Sequence, residues 1–151
     1  MTRIRTDSVY YIPLYETFEE DELVVLAKWW LTYMLNATHP VEYLAGMAVE
    51  RSYYCLQELC HRWETQETSN ILPEDYFVIR TAMEWLEDLD PESQNTQVLA
   101  NHIKGAEQLI ANGLYFVTPE EQHNSLLHMV LAGKIMCRSS SRNWVNGLPS
   151  A

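Results

Sequence analysis

The segment ETFEEDELVVLAKWWLTYML, residues 16–35, constrains this chain more than any other. Five acids fall within its first seven residues, and the thirteen that follow hold one charge, Lys28. Thr17 with Glu20 three residues on has the form of a capping box, which predicts a helix from Phe18, expected over 18–37. Glu19, Glu20, Asp21 and Glu22 then lie in the first turn, where the helix dipole favours negative charge. The apolar run is shorter than the roughly 20 residues a bilayer span needs. On a helical wheel Asp21, Lys28, Thr32 and Asn36 form one narrow stripe, and almost all the remaining circumference is apolar. A helix of this kind is normally enclosed by other elements. The expectation is a core helix centred on Trp30, with Trp29, beside the polar stripe, as a candidate contact residue.

The rest of the chain reads as further helices. Pro40 suits a first helical position, and a second helix is expected over 40–64. Its core face is Val41, Leu44, Ala48, Cys55, Leu56, Leu59 and Trp63; Tyr43, Met47 and Tyr54 form a stripe on the opposite side. A third helix is expected over 73–89, ending where Asp90 precedes Pro91. Its core face is Val78, Ala82, Trp85, Leu86 and Leu89. The fourth, 94–112, carries the stripe Val98, Leu99, His102, Ile103, Ala106, Leu109 and Ile110 and stops at Gly113, a usual C-cap residue. Thr118-Pro119-Glu120-Glu121 combines a cap, a proline at the first position and a glutamate at the third, so a fifth helix should run over 119–137. Segments 9–12 and 114–117 are short and apolar and could pair as a minor two-stranded element. The expected architecture is all-α, a bundle or orthogonal array of about five helices. It forms a single domain over 1–137 with a loose C-terminal tail over 138–151.

Composition narrows the function classes. The net charge is −11, and the ten basic residues are scattered. Affinity for nucleic acid comes largely from Lys and Arg neutralising phosphates, so direct nucleic-acid binding is not expected. Attraction to an anionic membrane face is not expected either. A partner with a basic surface would be drawn in. Three cysteines without a disulfide-like spacing, and an N-terminus lacking the apolar stretch of a secretory signal, point to a reducing, cytoplasmic setting.

Two Glu-x-x-His pairs, Glu58/His61 and Glu120/His123, have the spacing that di-metal carboxylate bundles use. Against a metal reading, Glu58 and His61 lie away from their helix's apolar stripe, and Glu120 is explained by its place in a first turn. His102 sits within an apolar stripe, where a histidine bonded to backbone is the common case. No phosphate-binding glycine loop, GxSxG or HExxH is present. No cofactor or catalytic set is expected.

The functional expectation is a non-enzymatic acidic protein that binds another protein. A sharper form is an inhibitor of phage or plasmid accessory type, acting on a basic nucleic-acid-handling partner and mimicking nucleic acid with surface carboxylates. The alternatives are a structural homo-oligomer and a helical metal protein or enzyme using the two Glu/His pairs. Two acidic groups are candidate contacts: Glu19, Glu20, Asp21 and Glu22, and then Glu84, Glu87, Asp88, Asp90 and Glu92. The second group opposes the dipole at a helix C-terminus, an unfavourable arrangement that a partner could exploit. Tyr43, Met47, Tyr54, Trp29 and Phe77 are the aromatic and apolar candidates for a partner or a second copy. As the centre of the core helix, Trp30 replaced by alanine should cost about 3–5 kcal/mol in a denaturation experiment. A cost near zero would put the ring in solvent.

Overall fold

The computed structural model describes residues 15–35, 42–90 and 95–135, without the side chains of 34 and 42–48. After a 3₁₀ turn at Tyr15–Thr17 come α1 (Glu20–Leu35), α2 (Glu42–Thr65), α3 (Pro73–Glu87), α4 (Thr96–Asn112) and α5 (Pro119–Leu131). Helix α1 packs on α2, α4 and α5, while α3 lies against α2 and α4. This is an all-α architecture, and among the described residues there is no strand. None of the described helices is long and apolar enough to cross a membrane.

The enclosure of α1 follows from its sequence. Leu23, Val24, Ala27 and Leu31 are wholly buried, and Val25, Leu26, Trp29 and Trp30 nearly so. Trp29 is therefore a core residue, stacked on Tyr33 and edge-on to Trp30, rather than a surface contact. Trp30 carries the Arg51 guanidinium 4.2 Å from its ring centroid. Part of the polar side of α1 is covered as well, although Asp21 is exposed. Ser52 of α2 donates to the Ala27 carbonyl, and the Lys28 ammonium reaches Oε1 of Gln122 on α5.

The main departures from the sequence expectation are two helix boundaries and one expected strand. Helix α1 starts at Glu20, not Phe18. The Arg62 guanidinium donates to the carbonyls of Tyr15, Glu16 and Phe18, holding a 3₁₀ turn where the first helical turn was expected. The reciprocal cap is made by Glu22, whose Oε1 accepts the Glu19 N–H at 2.9 Å. Helix α5 stops at Leu131, not near residue 137. Gly133 takes φ +74°, its N–H donates to the Val130 carbonyl, and the Lys134 N–H returns to the Met129 carbonyl. That is the Schellman termination glycine favours. Segment 114–117 is not a strand. The Tyr115 N–H donates to Asp75 Oδ1 at 2.6 Å, and the Val117 carbonyl accepts from Gln122, so side chains take the place of a ladder. Residues 9–12 and the expected tail at 138–151 lie outside the described residues.

The caps of the other helices are local. Asn95 accepts the Val98 N–H, Thr118 accepts the Glu121 N–H, and Asp75 accepts the Leu72 N–H. Two tryptophans expected in the core are not enclosed. Trp63 is 36% exposed and stacks on Tyr76 at 4.3 Å. Trp85 is 40% exposed and covers the backbone of α4 at Gly105. The buried face of α3 is instead Ile79, Ala82, Met83, Leu86 and Leu89.

At Gly105 two effects compete. Alanine gains about 1 kcal/mol of helix propensity over glycine. Its Cβ would sit 2.7 Å from Trp85 Cζ3, and overpacking typically costs about 1–3 kcal/mol. Gly105→Ala should therefore destabilise by about 1 kcal/mol, whereas in a Trp85→Ala background the same change should stabilise. Denaturant midpoints of the four proteins check this; an unchanged sign would show that Trp85 does not hold α3 against α4.

Candidate functional site

An opening lies between α2 and α3, roofed at one end by the 3₁₀ turn. It is an open groove of about 620 Å³. Tyr15 and Glu16 come from the turn. Tyr53, Tyr54, Gln57, Glu58, Cys60, His61 and Glu64 come from α2, and Arg80 and Met83 from α3. Arg62 builds one end: besides the three carbonyls it holds, its Nε lies 3.3 Å from Glu58 Oε1. Tyr15 and Tyr54 stack with centroids 5.9 Å apart. The Tyr53 hydroxyl donates to Glu87 at 2.5 Å. Burial, then that bond and the Glu87 charge, push the Tyr53 phenol up to about 12.

Outside the groove runs an aromatic ridge. Tyr76 stacks on Trp63, contacts Phe77 edge-on, and donates to Glu64 at 3.1 Å. Phe77 is 71% exposed. Because Glu64 belongs both to the groove wall and to the Tyr76 bond, groove and ridge are one continuous face. The buried Cys60 thiol, pushed up to about 11 by burial, stays protonated and donates to the Met83 sulfur. A nucleophilic cysteine needs the opposite environment.

The acidic candidates are partly absorbed by the fold. Glu20 accepts from Ser69 Oγ and the Asn70 N–H, tying α1 to the α2–α3 connection. Glu22 is buried and paired with Lys134 at 2.6 Å. Burial alone would raise its carboxyl; the Lys134 and Glu19 bonds outweigh that and hold it below the usual range. Glu87 is engaged by Tyr53. Glu19, Asp21, Glu84 and Asp88 are exposed, Asp90 is half-buried, and Glu92 lies outside the described residues. Among the aromatic and apolar candidates, Tyr54 lines the groove and Phe77 heads the ridge, while Trp29 is core. The side chains of Tyr43 and Met47 are outside the description.

The Glu/His pairs are not brought together. Glu58 and His61 lie on α2, Glu120 and His123 on α5, and those helices share no extended contact. Among the described residues no group of three or more His, Cys, Asp or Glu is placed to hold a metal ion. His102 is half-buried, with Nδ1 3.0 Å from the Val98 carbonyl oxygen and its ring beside Trp85.

Sequence reasoning missed Tyr53, Gln57, Glu64 and the role of Arg62. A signal for Arg62 exists: it falls three residues after Leu59, inside the buried stripe. Gln122 has the same signal, preceding Ser125, Leu126 and Met129 at helical spacing. Its amide donates to the carbonyls of Ile110, Ala111 and Val117, closing the end of α4. Beside it a cavity of about 20 Å³, lined by Lys28, Trp29, Thr32 and His123, has room for one water-sized molecule and no substrate.

Compared with family models, curated proteins and solved structures, the chain matches none. The class is thus defined by its own geometry: among the described residues, an array of five helices with an open, tyrosine-walled groove.

The half-buried residues Lys28 and Glu107 generate a pH prediction. Burial lowers the Lys28 ammonium, an effect the Glu107 charge opposes. Burial raises the Glu107 carboxyl, opposed first by Lys28 and then by Lys104. A carboxyl raised on folding contributes stability below its unfolded value of about 4.5 that is lost as pH rises through the folded value. Lys28→Met removes the main opposition, so the variant should lose more stability between pH 4 and pH 7 than the parent. Adding Glu107→Gln should erase the difference. Parallel melting curves at both pH values test it; identical pH slopes in parent and single variant would refute the coupling.

Proposed function

We propose that this chain is a non-enzymatic binding protein that takes a basic segment of a protein partner on the face formed by α2 and α3. The observation that carries the reading is the continuity of the groove with the exposed ridge Trp63–Tyr76–Phe77. Interface centres favour Tyr, Trp and Phe, and an acidic rim steers a basic partner in. Glu16 and Glu64 supply that rim, with Glu84 exposed further along α3. The net charge of −11 extends the attraction beyond the face itself. An inhibitor of a basic nucleic-acid-handling protein is one partner class that fits. Its phosphate-mimicking form would use Glu19, Asp21, Glu84 and Asp88, the exposed acids.

The test begins with recovery of a partner at low salt from the cell in which the chain is found, followed by measurement of the purified pair. Phe77→Ala should weaken binding about tenfold or more, as truncation of a central anchor does. Glu16→Gln with Glu64→Gln should slow association and flatten its salt dependence. Both are surface changes and should leave the helical content intact. A partner bound equally well by both variants would refute this face as the site.

A further inference from the structure

Residues 1–14 join the fold at Tyr15, and Tyr15 and Glu16 are themselves part of the groove wall. This segment, MTRIRTDSVYYIPL, holds Arg3 and Arg5 against one acid, Asp7, a net +1 (2 − 1). The remaining chain has 8 basic and 20 acidic residues, a net −12. At the groove, the carboxylates of Glu16, Glu58 and Glu64, with Glu87 behind Tyr53, outnumber the guanidiniums of Arg62 and Arg80. The positive charge of Arg62 is moreover committed to backbone carbonyls and Glu58. The reach is ample. Ten residues separate Arg5 from Tyr15, roughly 33 Å when extended. Along α2 the groove runs from Tyr53 to Glu64, roughly 16 Å at 1.5 Å per residue. Val9, Tyr10, Tyr11 and Ile12 give the segment an apolar and aromatic part to lie on the tyrosine wall. A tether this short supplies an effective concentration near the millimolar range, so a weak contact becomes populated.

We propose that the α2–α3 groove is a docking surface for the chain's own N-terminal segment, residues 1–14, held through Arg3 and Arg5, which a basic partner segment must displace. The displacement rests on the function proposed above; the intramolecular contact does not.

The test uses the full chain carrying Cys137→Ser. The buried Cys55 and Cys60 thiols, both pushed up by burial, compete poorly for oxidation. Ile4→Cys is combined either with His61→Cys in the groove or with Asn124→Cys on the exposed side of α5, and disulfide formation is followed in glutathione buffer at low salt. The groove pair should close about tenfold faster or more, and Arg3→Glu with Arg5→Glu should erase the preference while circular dichroism stays unchanged. Equal rates for the two pairs, or a preference that survives loss of both arginines, would overturn the proposal. Preferential closure without any basic partner upholds it and counts against the proposed function. Salt-sensitive partner binding without preferential closure overturns it and leaves the proposed function standing.

Discussion

A helix with almost no polar face must be surrounded, and α1 sets the architecture through that requirement. Removing each buried methylene of such a helix from water is worth about 0.8 kcal/mol, so leaving any long side of it wet would be costly. Three helices meet the need, with α2, α4 and α5 packed on it and α3 completing the array from α2 to α4. The one charge in the run, Lys28, had to be answered from within the same shell. Gln122 and Glu107 do so from two different neighbours. The result is a core whose polar groups are few.

Those few polar groups work at the junctions. Arg62, Asp75 and Gln122 are all buried, and each bonds backbone that has left regular structure. Arg62 gathers the carbonyls before α1, Asp75 holds the N–H groups of Leu72 and Tyr115, and Gln122 takes the carbonyls that end α4. A buried peptide group without a partner costs about 1–3 kcal/mol, so such side chains let loops lie close to the core. The groove is a by-product of this scheme. Arg62 pulls the 3₁₀ turn over one end of the α2–α3 seam, and the turn becomes a wall.

Much of the fold was legible in the sequence because helix period and caps are local signals. The Thr118-Pro119-Glu121 start and the Gly113 stop stand where their chemistry places them. The errors came where a distant residue intervened. No local rule at Thr17 could announce that Arg62, some 45 residues on, would claim the carbonyls there. Gly133, inside the expected span 119–137, is a local stop signal that ends α5 early. The candidate site was less legible still. Tyr54 and Phe77 were singled out for their faces, yet the groove that joins them to Tyr53, Glu64 and Arg80 exists only once two helices and a turn meet. The acids misled in a different way: Glu20 and Glu22 look like surface charge in one dimension and serve as struts in three.

The Lys134–Glu22 pair has a topological meaning. The Schellman turn after α5 brings the chain's last described stretch back to the first turn of α1, where Lys134 also faces the Phe18 ring at 5.9 Å. Entry and exit of the helical array are therefore the same corner. A unit with coincident ends can be spliced into a loop of another protein without stretching either, as domain insertion requires.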